Sequence, residues 1–306
     1  MRVTRSVAAV GAVVCLTTAA EAQKPCPGNT AALSVARTVE IDTTGGPGFG
    51  FEHYKAHDFL QMKEVVLTFD DGPQKFHTET TLAALASHCT KAVFFSVGKQ
   101  ALFFPEIIRK VAAEGHTIGT HTFNHYDLRR KAVGKDAIDE IERGISAVRR
   151  AVGGPIAPFF RFPALADSPE TLKYLQGRNI AIFSTDIDSF DFKFRSSEKT
   201  LASVMSKLDK KGKGIVLLHD VVPTTGKGAP ELLKALQAGG YKIVHMKAKG
   251  EVKTLAEFDA AIEKDVRGLA PPGSDKPTSS VVRTVDDTKP GGPAVPTNAG
   301  VPPVKK

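Results

Sequence analysis

From residue 63 onward, short runs of apolar and β-branched residues alternate with longer segments of helical periodicity. The first run, Val65–Phe69, leads into Asp70 and Asp71 and is stopped by the turn-forming pair Gly72-Pro73. Strands are predicted at 64–70, 91–97, 116–120, 157–162, 179–185, 214–219 and 241–246. Helices are predicted at about 77–87, 100–114, 134–152, 168–177, 197–210 and 229–238.

This alternation predicts an α/β fold with a parallel sheet, because parallel strands need helical crossovers. About seven strand–helix units favour a distorted (β/α) barrel over an open doubly wound sheet, which is the alternative. In such barrels the reactive groups gather at the carboxyl ends of the strands.

The flanking segments have a different character. Residues 23–62 form an N-terminal extension without clear periodicity, and 63–267 hold the strand–helix domain. Residues 268–306 are rich in Pro and Gly and lack periodicity, so we expect a disordered tail.

Residues 1–22 have the pattern of an export signal. Arg2 and Arg5 precede an apolar stretch, Val7–Leu16, and Ala20–Ala22 offers a small-x-small cleavage site. The apolar stretch is too short to span a bilayer, and no other segment approaches a transmembrane span. We therefore expect a protein exported to the periplasm or the exterior.

The 306 residues carry a formal net charge of +8. Lysines and arginines are scattered rather than clustered, so the sequence does not indicate nucleic acid binding. Nothing in the sequence specifies an oligomeric state.

Export leaves two cysteines, Cys26 and Cys89, in the mature chain. In an oxidising compartment a disulfide is expected, with two free thiols as the alternative. The bond would contribute roughly 3–4 kcal/mol by restricting the unfolded chain.

The predicted strand ends repeatedly carry polar residues, which is the pattern of a site at the rim of a barrel. They are Asp70 and Asp71 after the first strand, His121 and His125 after the third, Arg161 at the fourth, Asp188 and Asp191 after the fifth, and His219 at the end of the sixth.

His121 and His125 are spaced so that both rings can bind one cation. A carboxylate from another strand end would complete a two-histidine, one-carboxylate site for a divalent metal. Zinc is the usual ion for this donor set, and cobalt, nickel or manganese would also fit.

His219 closes an apolar strand, where a lone histidine is more often a packing residue. Beside a metal and a carboxylate base, it could instead protonate a leaving group. Either Asp188 or Asp191 could hold its other ring nitrogen and keep it cationic.

These residues resemble the polysaccharide deacetylase family, the NodB-homology group of carbohydrate esterases. The motifs, in family order and spacing, are Asp70-Asp71-Gly72, His121-x-x-x-His125, Arg161-x-Pro163, Asp188-Ser189-Phe190-Asp191 and Leu217-Leu218-His219. The resemblance covers about residues 63–246. It implies a distorted (β/α) barrel and metal-dependent removal of acetyl groups from an acetylated glycan, usually an N-acetylglucosamine polymer.

The resemblance also implies roles for individual residues. Asp70 resembles the general base and His219 the acid, with Arg161 orienting the base and Asp191 holding the acid. The metal ligands would be Asp71, His121 and His125. Leu217 would line the acetyl pocket, and the backbone N–H of Ala164 would help to bind the oxyanion.

The sequence departs from the family pattern at two places. The usual Arg-Pro-Pro-Tyr-Gly stretch is Arg161–Leu165 here, with Ala in the place of Tyr and Leu in the place of Gly. The usual Trp after the aspartate of the fourth motif is Phe192, and the chain has no Trp. Stacking on sugars would fall to Phe or Tyr side chains, with Phe76, Tyr126, Phe162 and Phe192 as candidates.

Three alternatives remain at this stage. A metal-independent cyclic-imide hydrolase of the same fold would be expected to lack part of the metal triad, and a silent glycan-binding module would be expected to lack the base or the acid. An O-acetyl esterase of the acetylxylan type would use the same residues. The full set of base, ligands and acid favours an N-acetyl hydrolase.

Overall fold

The structure is a computed structural model that describes residues 26–269. The predicted signal segment, 1–22, lies outside the described residues, and so does the predicted tail from residue 270 onward. Contacts divide the chain into two units, of which the first runs to Glu263 and contains all the strands. The second begins at Lys264 and is described only as the end of a helix that reaches Leu269.

Ten strands and eight α-helices alternate along the described chain. The strands are β1 (Arg37–Ile41), β2 (Gly48–Phe49), β3 (Glu64–Asp70), β4 (Val93–Ser96), β5 (Thr117–Thr120), β6 (Phe159–Phe160), β7 (Ala181–Phe183), β8 (Ile187–Asp188), β9 (Gly214–His219) and β10 (Lys242–Ala248). The helices are α1 (His77–Ser87), α2 (Gly98–Phe103), α3 (Pro105–Ala113), α4 (Lys135–Val152), α5 (Pro169–Gly177), α6 (Ser197–Lys211), α7 (Pro223–Ala238) and α8 (Ala256–Leu269).

The predicted fold class is confirmed, since the strands form a distorted parallel barrel. Strands β3 to β7 pair in chain order, β8 pairs with β9, and β9 returns to β3. No ladder joins β7 to β8 within residues 26–269, and β2 pairs with β7 at that opening. Because every ladder is parallel, the carboxyl ends of the strands meet at one rim.

β3 lies at the centre of the sheet, and all seven of its residues are buried. Its alternating side chains divide the core into two layers. Val65, Leu67 and Phe69 pack in a cluster with helix residues, whereas Val66 packs in a second cluster with interior strand residues such as Phe95. The same alternation turns Thr68 and Asp70 toward the interior of the barrel.

The extension at 23–62 lacks clear periodicity, yet its described part contains two strands. β1 pairs with β10 over five residues, and β2 covers the edge at β7. Both strands are short, and β2 contains a glycine, so local pattern gives a weak signal there. The expected Cys26–Cys89 disulfide is present and attaches this extension to the turn after α1.

Several predicted element bounds are also wrong. The helix expected at 100–114 is two helices, because Phe104 precedes Pro105 and adopts a non-helical conformation. The strand expected at 179–185 is shorter, and β8 follows it as a separate strand. The helix expected at 229–238 begins at Pro223, since Gly226, Gly228 and Pro230 weakened its sequence signal without preventing the helix.

The helix α8 (Ala256–Leu269) was not predicted, and it takes in the first two residues of the expected tail. Among residues 26–269, no helix combines the length and the apolarity that a membrane span requires.

Candidate active site

Asp70 ends β3 on the inner face of the barrel and is almost completely buried. The guanidinium of Arg161 donates from Nη1 to Asp70 Oδ1 and to Thr68 Oγ1, both at 2.7 Å. Arg161 is itself fully buried, and its Nη2 donates to the Ser184 carbonyl at 2.9 Å. This network fixes the orientation of the Asp70 carboxylate, because the Arg161 side chain that binds it is buried and hydrogen-bonded to three different residues.

Asp71, His121 and His125 come together at the rim, where their ligand atoms lie within 4.8 Å of one another. Asp71 Oδ1 lies 3.1 Å from His125 Nε2 and 3.5 Å from His121 Nε2. Within the described part of the chain, this is the only cluster of three or more such side chains at ligand spacing.

His121 is arranged as a neutral ligand. Its Nδ1 lies 2.6 Å from the Arg161 carbonyl oxygen, so Nδ1 carries the proton and Nε2 presents its lone pair to the cluster. Burial lowers the pKa of His121 to about 4 despite the opposing charge of Asp70, so its imidazole stays neutral near pH 7.

Asp71 Oδ1 is a buried polar atom without a hydrogen-bond partner. Burial raises the pKa of Asp71, but the close approach of the His125 ring and the other neighbouring histidines outweigh it and hold the pKa well below its usual range. An ionised carboxylate oxygen, unpaired and aimed at two imidazole nitrogens, fits a divalent cation. The residues present therefore fit the metal that the family resemblance implies.

The loops that carry these ligands have unusual backbone conformations. Asp71, Thr122 and His125 have φ values of 77°, 66° and 60°, in a region that L-residues rarely adopt. The His125 N–H donates to Thr122 Oγ1 at 3.0 Å, which closes the loop between the two histidines. Such strain concentrates at functional sites, where the surrounding structure maintains it.

His219 lies beside Asp70 because the β3–β9 register pairs the two residues directly. Its Nδ1 lies 2.7 Å from Asp191 Oδ1, and its backbone N–H donates to Asp191 Oδ2. Burial lowers the pKa of His219, but the hydrogen bond and charge of Asp191, with the charges of Asp70 and Asp71, raise it to about 9. Asp191, and not Asp188, holds the histidine, since Asp188 Oδ1 instead accepts from the Phe190 N–H.

A cavity of about 440 Å³ lies over these groups. Apart from the acids and histidines, its lining includes Phe162, Ala164, Leu217 and Phe192. The Phe192 ring lies edge-on to His219, with 5.4 Å between ring centroids. Phe76 and Tyr126 are exposed side chains that do not line this cavity.

Ala164, in the segment after Arg161, lines the cavity. The two backbone hydrogen bonds of this turn are donated by Leu165 and Ala166, so neither uses the Ala164 N–H. Leu165, in the place where the family pattern has Gly, adopts a φ of 54°, as Ala164 does. The left-handed conformation that favours glycine is therefore kept without the glycine.

Sequence reasoning missed two residues that hold the site together. Thr225 Oγ1 donates to Asp191 Oδ2 at 2.6 Å. Asp220 is fully buried and accepts from the Gly72 N–H at 3.0 Å and from Thr78 Oγ1 at 2.6 Å. The position of Asp220 directly after His219 marked it as a candidate for the site. Its role could not be inferred, because its hydrogen-bond partners Gly72 and Thr78 are far away in the sequence.

The sequence profile of the polysaccharide deacetylase family matches residues 60–181. A peptidoglycan-N-acetylmuramic acid deacetylase of Bacillus subtilis is 29% identical over 197 residues, which is 64% of this chain and 40% of that protein. A chitooligosaccharide deacetylase of a Bradyrhizobium species is 30% identical over 200 residues, which is 61% of this chain and 90% of that protein. The chain thus spans less than half the length of the first relative and most of the second.

A solved structure has the same fold. It is a peptidoglycan deacetylase from Bdellovibrio bacteriovorus, with a TM-score of 0.62 and 33% sequence identity. The match covers 70% of this chain and 59% of that one.

Proposed function

This chain belongs to the polysaccharide deacetylase family, and from that premise we propose that it hydrolyses the N-acetyl groups of N-acetylglucosamine-containing glycans. One observation supports the proposal most strongly. A carboxylate held by a buried arginine, a histidine held by a buried aspartate, and an Asp-His-His cluster all face a single cavity. That set supplies a base, an acid and a cation site for amide hydrolysis.

The proposed ligands of the cation are Asp71, His121 and His125, and zinc is the ion that this donor set most often holds at catalytic sites. When bound, the cation would polarise the acetyl carbonyl and lower the pKa of water. It would also offset the charge of Asp71, and so bring the pKa of His219 down from the value in the metal-free protein.

The proposed base is Asp70. Its Oδ1 is occupied by Arg161, and no hydrogen bond among the described residues uses Oδ2. Oδ2 can therefore accept a proton from water as the water oxygen bonds to the acetyl carbon. The resulting oxyanion would receive a hydrogen bond from the Ala164 N–H.

The proposed acid is His219. Its Nδ1–H is bound to Asp191, so Nε2 carries the proton that can be donated to the sugar nitrogen as the C–N bond breaks. This step matters because an unprotonated amine is a poor leaving group. The products are acetate and a free amino sugar.

We further infer that the protein acts outside the cytoplasm. A disulfide links Cys26 to Cys89, and disulfides persist mainly in oxidising compartments. The two cited peptidoglycan deacetylases are named for a cell-wall glycan, which is consistent with this location.

The test is release of acetate from chitin oligomers, peptidoglycan and acetylxylan by the purified protein. Asp70→Asn should lower the rate on N-acetylated glycans by about 10²-fold or more, because the amide cannot accept the proton. A chelator should also abolish activity, and added zinc should restore it. Asp209→Asn, on the exposed surface of α6, is the matched control and should leave the rate unchanged.

Full activity in Asp70→Asn after chelation would refute this mechanism. Acetate from acetylxylan alone would instead identify an O-acetyl esterase.

A further inference from the structure

A second cavity, of about 280 Å³, adjoins the cation site. The two cavities share Asp71 and His125, and their other lining residues differ. The first takes its remaining side chains largely from the loops after β6, β8 and β9. The second is lined mainly by residues that follow β3, β4 and β5, including the first turn of α2, and these three strands are neighbours in the barrel. A glycan chain passing over the proposed cation site could therefore occupy both.

The second cavity has a polar lining that contains no Phe or Tyr side chain. Besides Asp71 and His125, four side chains with hydrogen-bonding groups surround it: Gln74, Lys99, Gln100 and Asn124. No hydrogen bond among the described residues uses the side chain of Gln74, Lys99 or Gln100. These groups remain available to a ligand.

The amide of Asn124 is oriented by a buried carboxylate. Its backbone N–H donates to Glu140 Oε2 at 2.8 Å, and its Nδ2 donates to Glu140 Oε1 at 2.6 Å. Glu140 is only 5% exposed. Since a carboxylate accepts from the NH₂ group and not from the oxygen, Asn124 Oδ1 is left as a fixed acceptor.

Lys99 is the only lysine or arginine in this lining. Its backbone N–H donates to the Phe123 carbonyl at 3.0 Å, and the backbone N–H of the preceding Gly98 donates to the Thr122 carbonyl at 2.9 Å. These two hydrogen bonds hold the start of α2 against the loop that carries His125. The side chain of Lys99 is exposed, and it forms no ion pair among the described residues.

We propose that this cavity binds a neighbouring sugar unit that carries a carboxylate, with Lys99 as the partner of that carboxylate. The proposal rests on the proposed function and specifies its substrate as an acidic N-acetylated glycan. The volume is below the roughly 300 Å³ at which pockets for drug-sized ligands begin, so it suits one sugar unit. The side-chain amides of Gln74 and Gln100 and the Asn124 oxygen can form hydrogen bonds with hydroxyl and acetamido groups of a sugar. The Lys99 ammonium can pair with its carboxylate.

The test compares two tetrasaccharides of alternating N-acetylglucosamine and N-acetylmuramic acid, one with free carboxylates and one with these groups amidated. In the wild type, kcat/KM for acetate release should be about tenfold higher with the carboxylates, as for a charge-assisted hydrogen bond. Lys99→Met should remove this preference by slowing only the carboxylate form. Lys99→Arg should keep the preference, and Lys173→Met, at an exposed position on α5, should behave as the wild type.

When calorimetry measures the binding of the same tetrasaccharides to the Asp70→Asn variant, the form with free carboxylates should again bind more tightly than the amidated form. Equal wild-type rates on the two forms, or equal slowing of both by Lys99→Met, would overturn the assignment of Lys99 and leave the proposed function standing. No acetate from either form or from chitin oligomers would overturn the proposed function, and this proposal with it.

Discussion

At the residue scale, the behaviour of the site depends on pairs in which one buried group fixes another. Arg161 fixes Asp70, and Asp191 fixes His219. For Asp191, burial raises the pKa, but the hydrogen bond from His219 and its charge outweigh burial and lower the pKa overall. The two partners are thus coupled, since the ionised aspartate favours the protonated imidazole.

Asp191→Asn should therefore move the alkaline limb of the pH–rate profile to lower pH. The native Asp191 raises the pKa of His219, so the protonated acid is present at neutral pH and is lost as pH rises through that pKa. The variant would lose the protonated form at lower pH, and kcat at pH 8 should fall by about 10²-fold. A profile measured with zinc in excess checks this. An unmoved alkaline limb would mean that Asp191 does not act on His219.

At the scale of the elements, parallel strands in register explain how distant residues meet. Asp70 lies opposite His219, and Asp188 opposite Leu217, because β9 lies between β3 and β8 and is parallel to both. Asp220 adds a link between the end of β9 and the loop after β3. A Cβ at Gly72 would lie 2.2 Å from Asp220 Oδ2, so only glycine allows this close approach.

Asp220 also makes a prediction about stability. Burial, assisted by the charge of Asp71, raises the pKa of Asp220 to about 7. At a pH between the ordinary aspartate pKa near 4 and the raised pKa of about 7, Asp220 binds more protons in the folded state than in the unfolded state. The contribution of Asp220 to stability therefore falls as pH rises from about 4 to about 7.

Asp220→Asn cannot ionise, so its stability relative to the wild type should increase over that pH range, by on the order of 2 kcal/mol. Urea unfolding of both metal-free proteins at pH 4.5 and pH 8 measures the change. A difference that stays constant with pH would show that Asp220 is already ionised at the lower pH.

The strand ends were predictable from the sequence, whereas the connections between them were only partly so. Val65–Phe69 and Ile215–Leu218 are buried apolar runs, and both strands end at reactive residues as expected. The extent of β6 was not predictable, since only Phe159 and Phe160 pair although the apolar run is longer. The roles of Asp220 and Thr225 depend on contacts across the barrel, which periodicity cannot reveal.

At the scale of the whole molecule, the N-terminal extension is part of the barrel and not an appendage to it. β1 extends the sheet at β10, β2 pairs with β7 at the opening of the barrel, and the disulfide attaches residue 26 to the turn after α1. The segment without a strong pattern of its own is thus ordered by partners elsewhere in the chain. This is why its strands were missed and the residues of the rim were not.

The proposed chemistry requires one cation that is held jointly by Asp71, His121 and His125. The most direct measurement is anomalous X-ray scattering at the zinc edge from crystals grown with zinc. We expect one strong peak per chain, about 2.0–2.2 Å from one oxygen of Asp71 and the Nε2 atoms of both histidines. An active protein whose crystals show no peak at this cluster, or a peak only elsewhere, would contradict the account.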